Sequence, residues 1–490
     1  MRATSTLLLL SLASSSVSAL PRGAGCHKTH TPYFEDKGNS LATSWSGVFH
    51  DVWESVRGTV FGLYDVDLYD ELEKTFRAPD KSVYQTLAAD PNFSNITKLI
   101  NYDPEIKELL DEASHGLTFL APNNKALTPP QRRKHLHEIA ITDEDAIHQL
   151  VLHADEIYNT SDDDDDDDKD KERKKKILKW ILNAVLRYHT LPYDITSTSI
   201  AGNSTVQTNL IPKEGGYGGY NLRIKVEKTL IPPTVTINKY AKIVKGDIAA
   251  TNGLIHELDH PLLPPPSILN GVYLAPQWLS TFSSAIQKVG LAEGLDWHWV
   301  HDKDHHAKKP KFEGSPAITA FVPTNSAFKK LPEHLVLYLF SPVGIRALRK
   351  LLQFHVVPNY IIHAEWIVPV DPKDSFSTMQ HSLVEDGDQD FSFPFPTALK
   401  NFTLPVSIKK WGPTLPIPGV ANFEFKVLGH VVDKARFDLP AWNGAWHVVG
   451  DVLNPMKSKH GHHDGSFDEE KWGWENWEEW LPDWVAEYDE

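Results

Sequence analysis

The segment Thr319-Ala320-Phe321-Val322-Pro323-Thr324-Asn325-Ser326-Ala327-Phe328 decides the fold, because an earlier stretch, Thr118-Phe119-Leu120-Ala121-Pro122-Asn123-Asn124-Lys125-Ala126-Leu127, repeats it. Thr, Pro, Asn and Ala fall at matching positions. A short apolar run reads as a strand, and the proline closing it cannot donate to a central ladder. Asn123 or Thr324 then caps the first turn of a helix. Both stretches therefore predict the same strand-to-helix corner, and repetition of a supersecondary unit is the most specific organisational signal in a sequence.

Two further boxes repeat in the same order. Leu186-Arg187-Tyr188-His189-Thr190-Leu191-Pro192 matches Leu352-Gln353-Phe354-His355-Val356-Val357-Pro358. Leu182, Val185, Leu186 and His189 share one helical face, as do Leu348, Leu351, Leu352 and His355, so each box predicts an amphipathic helix ended by proline. The third box pairs Asn252-Gly253-Leu254-Ile255-His256-Glu257-Leu258 with Asn443-Gly444-Ala445-Trp446-His447-Val448-Val449. Asn-Gly favours a type I′ turn, in which both central residues need positive φ, so a β-hairpin is expected to close each copy.

The corner, the Tyr-His or Phe-His helix end and the terminal Asn-Gly-x-Ile-His element together resemble the fasciclin family. The resemblance covers roughly residues 81–263 and 265–455, including opening helices at Val83-Tyr84-Gln85-Thr86-Leu87 and Leu279-Ser280-Thr281-Phe282. It implies an α+β fold of two tandem fasciclin-like domains, each a β-sandwich wedge against a helical cluster. It also implies a non-enzymatic adhesion or scaffolding role, exerted through domain surfaces on protein or on cell-wall or matrix glycan partners. The family's Tyr-His element is associated with receptor binding. This makes Tyr188, His189, Phe354 and His355 the candidate binding residues, weighed against purely structural histidines on apolar faces.

The remaining organisation follows from composition. Arg2, the apolar run Leu7 to Leu12 and the small residues up to Ala19 read as a signal peptide over residues 1–19. Residues 20–79 form an N-terminal segment, 80–263 the first domain, 265–456 the second and 457–490 an acidic, Trp-rich tail. The first domain carries an acidic/basic insert near 160–176, in which Asp162 to Asp168 precede Lys169 to Lys176; such a block reads as a solvated loop. The second copy is longer between His355 and Gly444, an excess expected to include the Asp- and Phe-rich stretch Glu385 to Pro396. Trp477, Trp480 and Trp484 fall at helical spacing around Pro482. Docking on the second domain, partner capture and a disordered tail all remain open for them.

Cys26 is the single cysteine, so no disulfide within the chain is expected, and sequons at Asn92, Asn95, Asn159, Asn203 and Asn401 fit a glycosylating lumen. The net charge of −16 argues against nucleic acid or anionic lipid partners. No run reaches the roughly 20 apolar residues of a membrane span, and no apolar C-terminal tail suggests a GPI signal. An extracellular, cell-surface or vacuole-like lumen is the expected location. His301 and His305 are spaced as in a metalloprotease helix, but Asp302 stands where that motif needs Glu; His460, His462, His463 and Asp464 form a second cluster of ligand types. A solvated loop is the favoured reading of both clusters over a metal site, and no cofactor or catalytic set is expected. The alternative is a luminal carbohydrate- or metal-binding factor.

Overall fold

The computed structural model describes residues 79–112, 116–128, 168–230, 233–300, 311–369, 389–411, 422–433, 436–460 and 467–487. The expectations for the signal peptide, Cys26, Asn159, His301, His305, His462, His463 and Asp464 lie outside them.

The first half opens with α1 (Val83–Ala89), α2 (Ser94–Asn101) and α3 (Pro104–Glu112), which run into strand β1 (Leu117–Pro122). The helix α4 (Asp168–Tyr188) then leads to β2 (Thr190–Leu191), α5 (Ser197–Ala201) and β3 (Thr205–Gln207). A meander of β4 (Arg223–Leu230), β5 (Pro233–Ile237), β6 (Ala241–Ala250) and β7 (Gly253–Leu258) completes it. Together these strands make one seven-stranded sheet in the order β2-β1-β7-β6-β5-β4-β3.

The second half repeats the plan. Helices α6 (Ile268–Tyr273) and α7 (Pro276–Lys288) and the ribbon of β8 (Trp297–Val300) and β9 (Lys311–Gly314) precede β10 (Ile318–Pro323). Next come α8 (Asn325–Lys329), α9 (Glu333–Leu339), α10 (Ile345–Phe354) and the short strands β11 (Val356–Pro358), β12 (Tyr360–Ile362) and β13 (Ile367–Pro369). The strands β14 (Gln389–Pro396), β15 (Thr403–Trp411), β16 (Asn422–Val427), β17 (His430–Val432), β18 (Leu439–Ala441) and β19 (Gly444–Val449) follow. The sheet β11-β10-β19-β18 reproduces β2-β1-β7-β6, and β14-β15-β16-β17 reproduces the rest of the meander. The second copy is split into two sheets at the position of β6, whose counterpart is the pair β17 and β18.

The core strand of each copy is buried along its whole length, as a strand with both faces covered must be. It pairs in parallel with the closing strand in one register, Leu117 opposite Gly253 in the first copy and Ile318 opposite Gly444 in the second.

Four readings are corrected here. The closing hairpins form, but their two-residue loops are Thr251-Asn252 and Trp442-Asn443, none of which has positive φ, so the turns are not type I′. Glycine is required one residue later, at φ 154° and 145°, because a Cβ there would lie 1.9 Å from the Leu117 carbonyl or 1.8 Å from that of Ile318. The basic half of the insert is not a loop: Asp168 to Lys176 form the first turns of α4, where lysine, arginine and glutamate are good helix formers. Gln389 to Pro396 is a strand paired along its length with β15, with Phe395 in the core. Finally, the counterpart of the Val83 helix is α6. In both copies the helix-entry N–H bonds the Asn of the third box, from Val83 to Asn252 at 2.8 Å and from Ile268 to Asn443 at 3.0 Å.

The tail docks within the chain. After α11 (Pro455–His460) and α12 (Glu469–Trp472), helix α13 (Trp477–Glu487) packs Trp477, Trp480, Leu481 and Trp484 into the core of the second half. Trp477 meets Tyr338 with ring centroids 5.0 Å apart, and Trp484 meets Phe402 edge-on at 6.3 Å. Pro482 sits on the exposed face of this helix, which continues through it.

Candidate functional site

The four candidate residues are all fully buried. His189 and His355 make one contact pattern twice. The Nδ1–H of His189 donates to the Val185 carbonyl at 2.8 Å, and its Nε2 accepts from the Leu262 N–H at 2.8 Å. His355 donates to the Leu351 carbonyl at 2.7 Å and accepts from the Leu453 N–H at 3.0 Å. Each ring thus ties the end of its helix to the segment that leaves the closing strand. This tautomer needs a neutral ring, and burial pulls both histidines down to about 4. Tyr188 donates to the Arg223 carbonyl at 3.2 Å and accepts from Asn238 at 2.9 Å; burial raises its pKa. Phe354 lacks the hydroxyl and packs edge-on against Phe402.

The histidines of the third box form a second matched pair. His256 accepts from the Asp247 N–H at 3.0 Å and donates to the Ile195 carbonyl at 2.9 Å. His447 accepts from the Asp438 N–H at 3.2 Å and donates to the Ile362 carbonyl at 3.0 Å. Thr118 and Thr319 likewise each bridge a carbonyl and an N–H of the strand-following segment at 2.9 Å. The repeated polar residues are therefore hydrogen-bonded brackets that hold irregular backbone against the core strand.

Residues outside the three repeated boxes build a polar seam between the halves. The N–H groups of Ser204 and Thr205 donate to Glu365 Oε2 at 2.9 and 3.3 Å, and the Ser204 hydroxyl donates to Asp438 Oδ2 at 2.5 Å. Lys225 Nζ donates to Ser204 Oγ at 3.2 Å, and the Ala364 N–H donates to Asp438 Oδ1 at 2.8 Å. The Tyr217 hydroxyl lies 2.7 Å from His363 Nε2, and its ring stacks on Trp366, which also faces the Arg223 guanidinium. Ala317, Ile361, Val368 and Ala445 of the second half join the apolar core of the first around this network.

The seam charges sort by environment. Burial opposes ionisation of Asp438, but His363, Lys225 and His447 outweigh it and hold the carboxylate below its usual range. Burial lowers both His363 and Lys225, and Asp438 partly restores them. His363 Nδ1 stands 3.5 Å from Asp438 without a bonding alignment. The Oε1 of Glu365 is buried without a hydrogen-bond partner, and burial pushes this carboxyl up to about 7.

No sequence pattern announced the seam: Ser204, Lys225, Glu365 and Asp438 are scattered, and only the fold brings them together. Of the sequons, Asn92 and Asn401 are exposed, whereas Asn95 and Asn203 are half-buried. The Asn203 amide donates to the Ser199 carbonyl beside the seam at 2.8 Å. His460 stacks on Trp472 at 4.1 Å. Among the described residues, no helix is long and apolar enough to cross a membrane.

Set against known proteins, the fasciclin domain matches residues 167–264 and again 277–389. The chain carries two fasciclin domains in tandem. The aurofusarin biosynthesis cluster protein S of Gibberella zeae is 27% identical over 248 residues, 48% of this chain and 54% of that protein. Stabilin-2 of Mus musculus is 29% identical over 129 residues, 24% of this chain and 4% of its own length. The chain thus spans about half of the first relative and a small part of the second. A solved FAS1 domain pair from the insect cell adhesion molecule fasciclin I is 16% identical, covering 75% of this chain and 98% of its own, with a TM-score of 0.26.

Proposed function

We propose that this chain is a non-enzymatic adhesion or scaffolding protein of the secretory pathway. It presents the outer surfaces of a fixed fasciclin pair to protein or to cell-wall or matrix glycan partners, outside the cell or in a vacuole-like lumen. The observation that carries this reading is the double fasciclin match combined with the buried seam. A flexible tandem loses orientational freedom on binding, whereas two domains held by mutual hydrogen bonds present both faces at once. The domains are taken as residues 80–263 and 265–456. Tyr188, His189, Phe354 and His355 act in this account by holding the domain surfaces in shape.

Fluorescent tagging of the full chain in its native cell, combined with proximity labelling, tests the proposal. Labelled luminal or extracellular glycoproteins and wall material are expected, and beads coated with the purified chain are expected to cluster on that material. A stable cytosolic pool, or coated beads that stay dispersed, would contradict it.

A further inference from the structure

A cleft of about 430 Å³ lies where the proline-rich linker, Pro261 to Pro266, passes between the domains. Its size falls in the range of small-molecule sites, about 300–1,000 Å³, which favour domain interfaces. Tyr240 of the first domain and Trp446 and Pro440 of the second contribute walls. The site therefore exists only while the seam holds the domains together, and Lys225 belongs to both.

Two independent observations define its chemistry. The first is a departure from the internal repeat: Trp446 stands where the first copy has Ile255, which is fully buried, yet Trp446 is only partly buried and lines the cleft. Gly271 leaves room for its ring, since a Cβ there would come within 3.2 Å of it. Tyr240, 41% exposed, adds a second ring, held by the Leu263 N–H that donates to its hydroxyl at 3.0 Å. The second observation is charge. The ionisable side chains lining the cleft, apart from the tyrosine, are Lys225, Lys239 and His260, all basic, in a chain of net charge −16. Lys239 lies 3.9 Å from Glu227, and His260 Nδ1 lies 2.8 Å from Asp259. Neither carboxylate lines the cleft.

We propose that the cleft binds a planar aromatic anion, its ring system on Tyr240 and Trp446 and its acid group toward Lys239. Aromatic stacking supplies the contact area and the basic edge selects the charge. This inference is independent of the adhesion reading, because the cleft can fill whether or not the outer surfaces engage a partner.

The full chain is titrated by fluorescence with 8-anilinonaphthalene-1-sulfonate and with its uncharged parent, N-phenyl-1-naphthylamine. The sulfonate is expected to saturate one site about tenfold more tightly than the parent, and less tightly as salt rises. Trp446→Ile, which restores the residue of the first copy, is expected to weaken both probes about tenfold. Lys239→Glu is expected to weaken the sulfonate about tenfold and leave the parent within about twofold. Equal affinity for the two probes overturns the proposal, as does the absence of a saturable site, or sulfonate binding that neither substitution changes. Circular dichroism checks folding; should Trp446→Ile unfold, the exposed Lys239→Glu variant decides alone.

Discussion

At the residue scale, the paired glycines carry the sharpest requirement. Gly253 and Gly444 begin their closing strands at positive φ, with a partner-strand carbonyl filling the place of a Cβ. Replacing either by alanine should cost about 2–4 kcal/mol, from steric conflict and from a strained backbone, read as a lowered urea midpoint. An alanine variant as stable as the parent would show that the parallel strands are not so closely apposed. The bracket histidines give a second prediction. His189, His355 and His447 are pulled down to about 4 from an ordinary 6.5. A depressed pKa of this kind contributes stability above the unfolded value, which is lost as pH falls through 6.5 toward 4. The urea midpoint should therefore drop over that window, and His355→Phe, which leaves the Leu351 carbonyl and the Leu453 N–H unpaired, should cost about 2–4 kcal/mol while reducing the pH slope. These residues were legible in the sequence because each occurs twice at the same place in its box. Their roles were not, since a buried bracket and an exposed contact use the same imidazole.

Among the elements, α13 shows what burial of a repeated aromatic spacing achieves. Trp484 is 1% exposed and Trp480 4%, and Lys350 Nζ donates to the Val485 carbonyl at 2.5 Å, so the helix is tied at both its apolar face and its end. Trp484→Ala should cost about 3–5 kcal/mol in thermal or urea unfolding, the range for removing a large buried aromatic. Little change would mean that α13 contributes no essential part of the core. The helical spacing of the three tryptophans was visible in the sequence, but the surface receiving them is made by α9, α10 and Phe402, far away in the chain. The basic start of α4 was misread for the opposite reason: a charge block states solvation, and solvated residues continue a helix when its later turns are anchored by Leu178, Leu182 and Val185.

Across the whole molecule, the seam couples the two domains through groups that lie outside the three repeated boxes, which is why the sequence revealed two domains and not their arrangement. Glu365 is the seam's pH-dependent member, faced by Arg223, the Ser204 and Thr205 amides, and Asp438. Its carboxyl is raised from an ordinary 4.5 to about 7, so its contribution is complete below 4.5 and fades as pH rises through 7. Glu365→Gln should flatten that part of the pH dependence of interdomain protease resistance and leave the opposing acid loss from the histidines in place; an unchanged profile would remove Glu365 from the coupling. The central claim, that one bracketed core is built twice, is tested most directly by native-state hydrogen exchange at matched amides: Leu262 with Leu453, and Val83 with Ile268. Each donates to the same side chain of its own copy. All four should fall in the slow-exchanging class of core amides, each pair protected alike. One member of a pair exchanging like an open loop while its counterpart stays protected would contradict the claim.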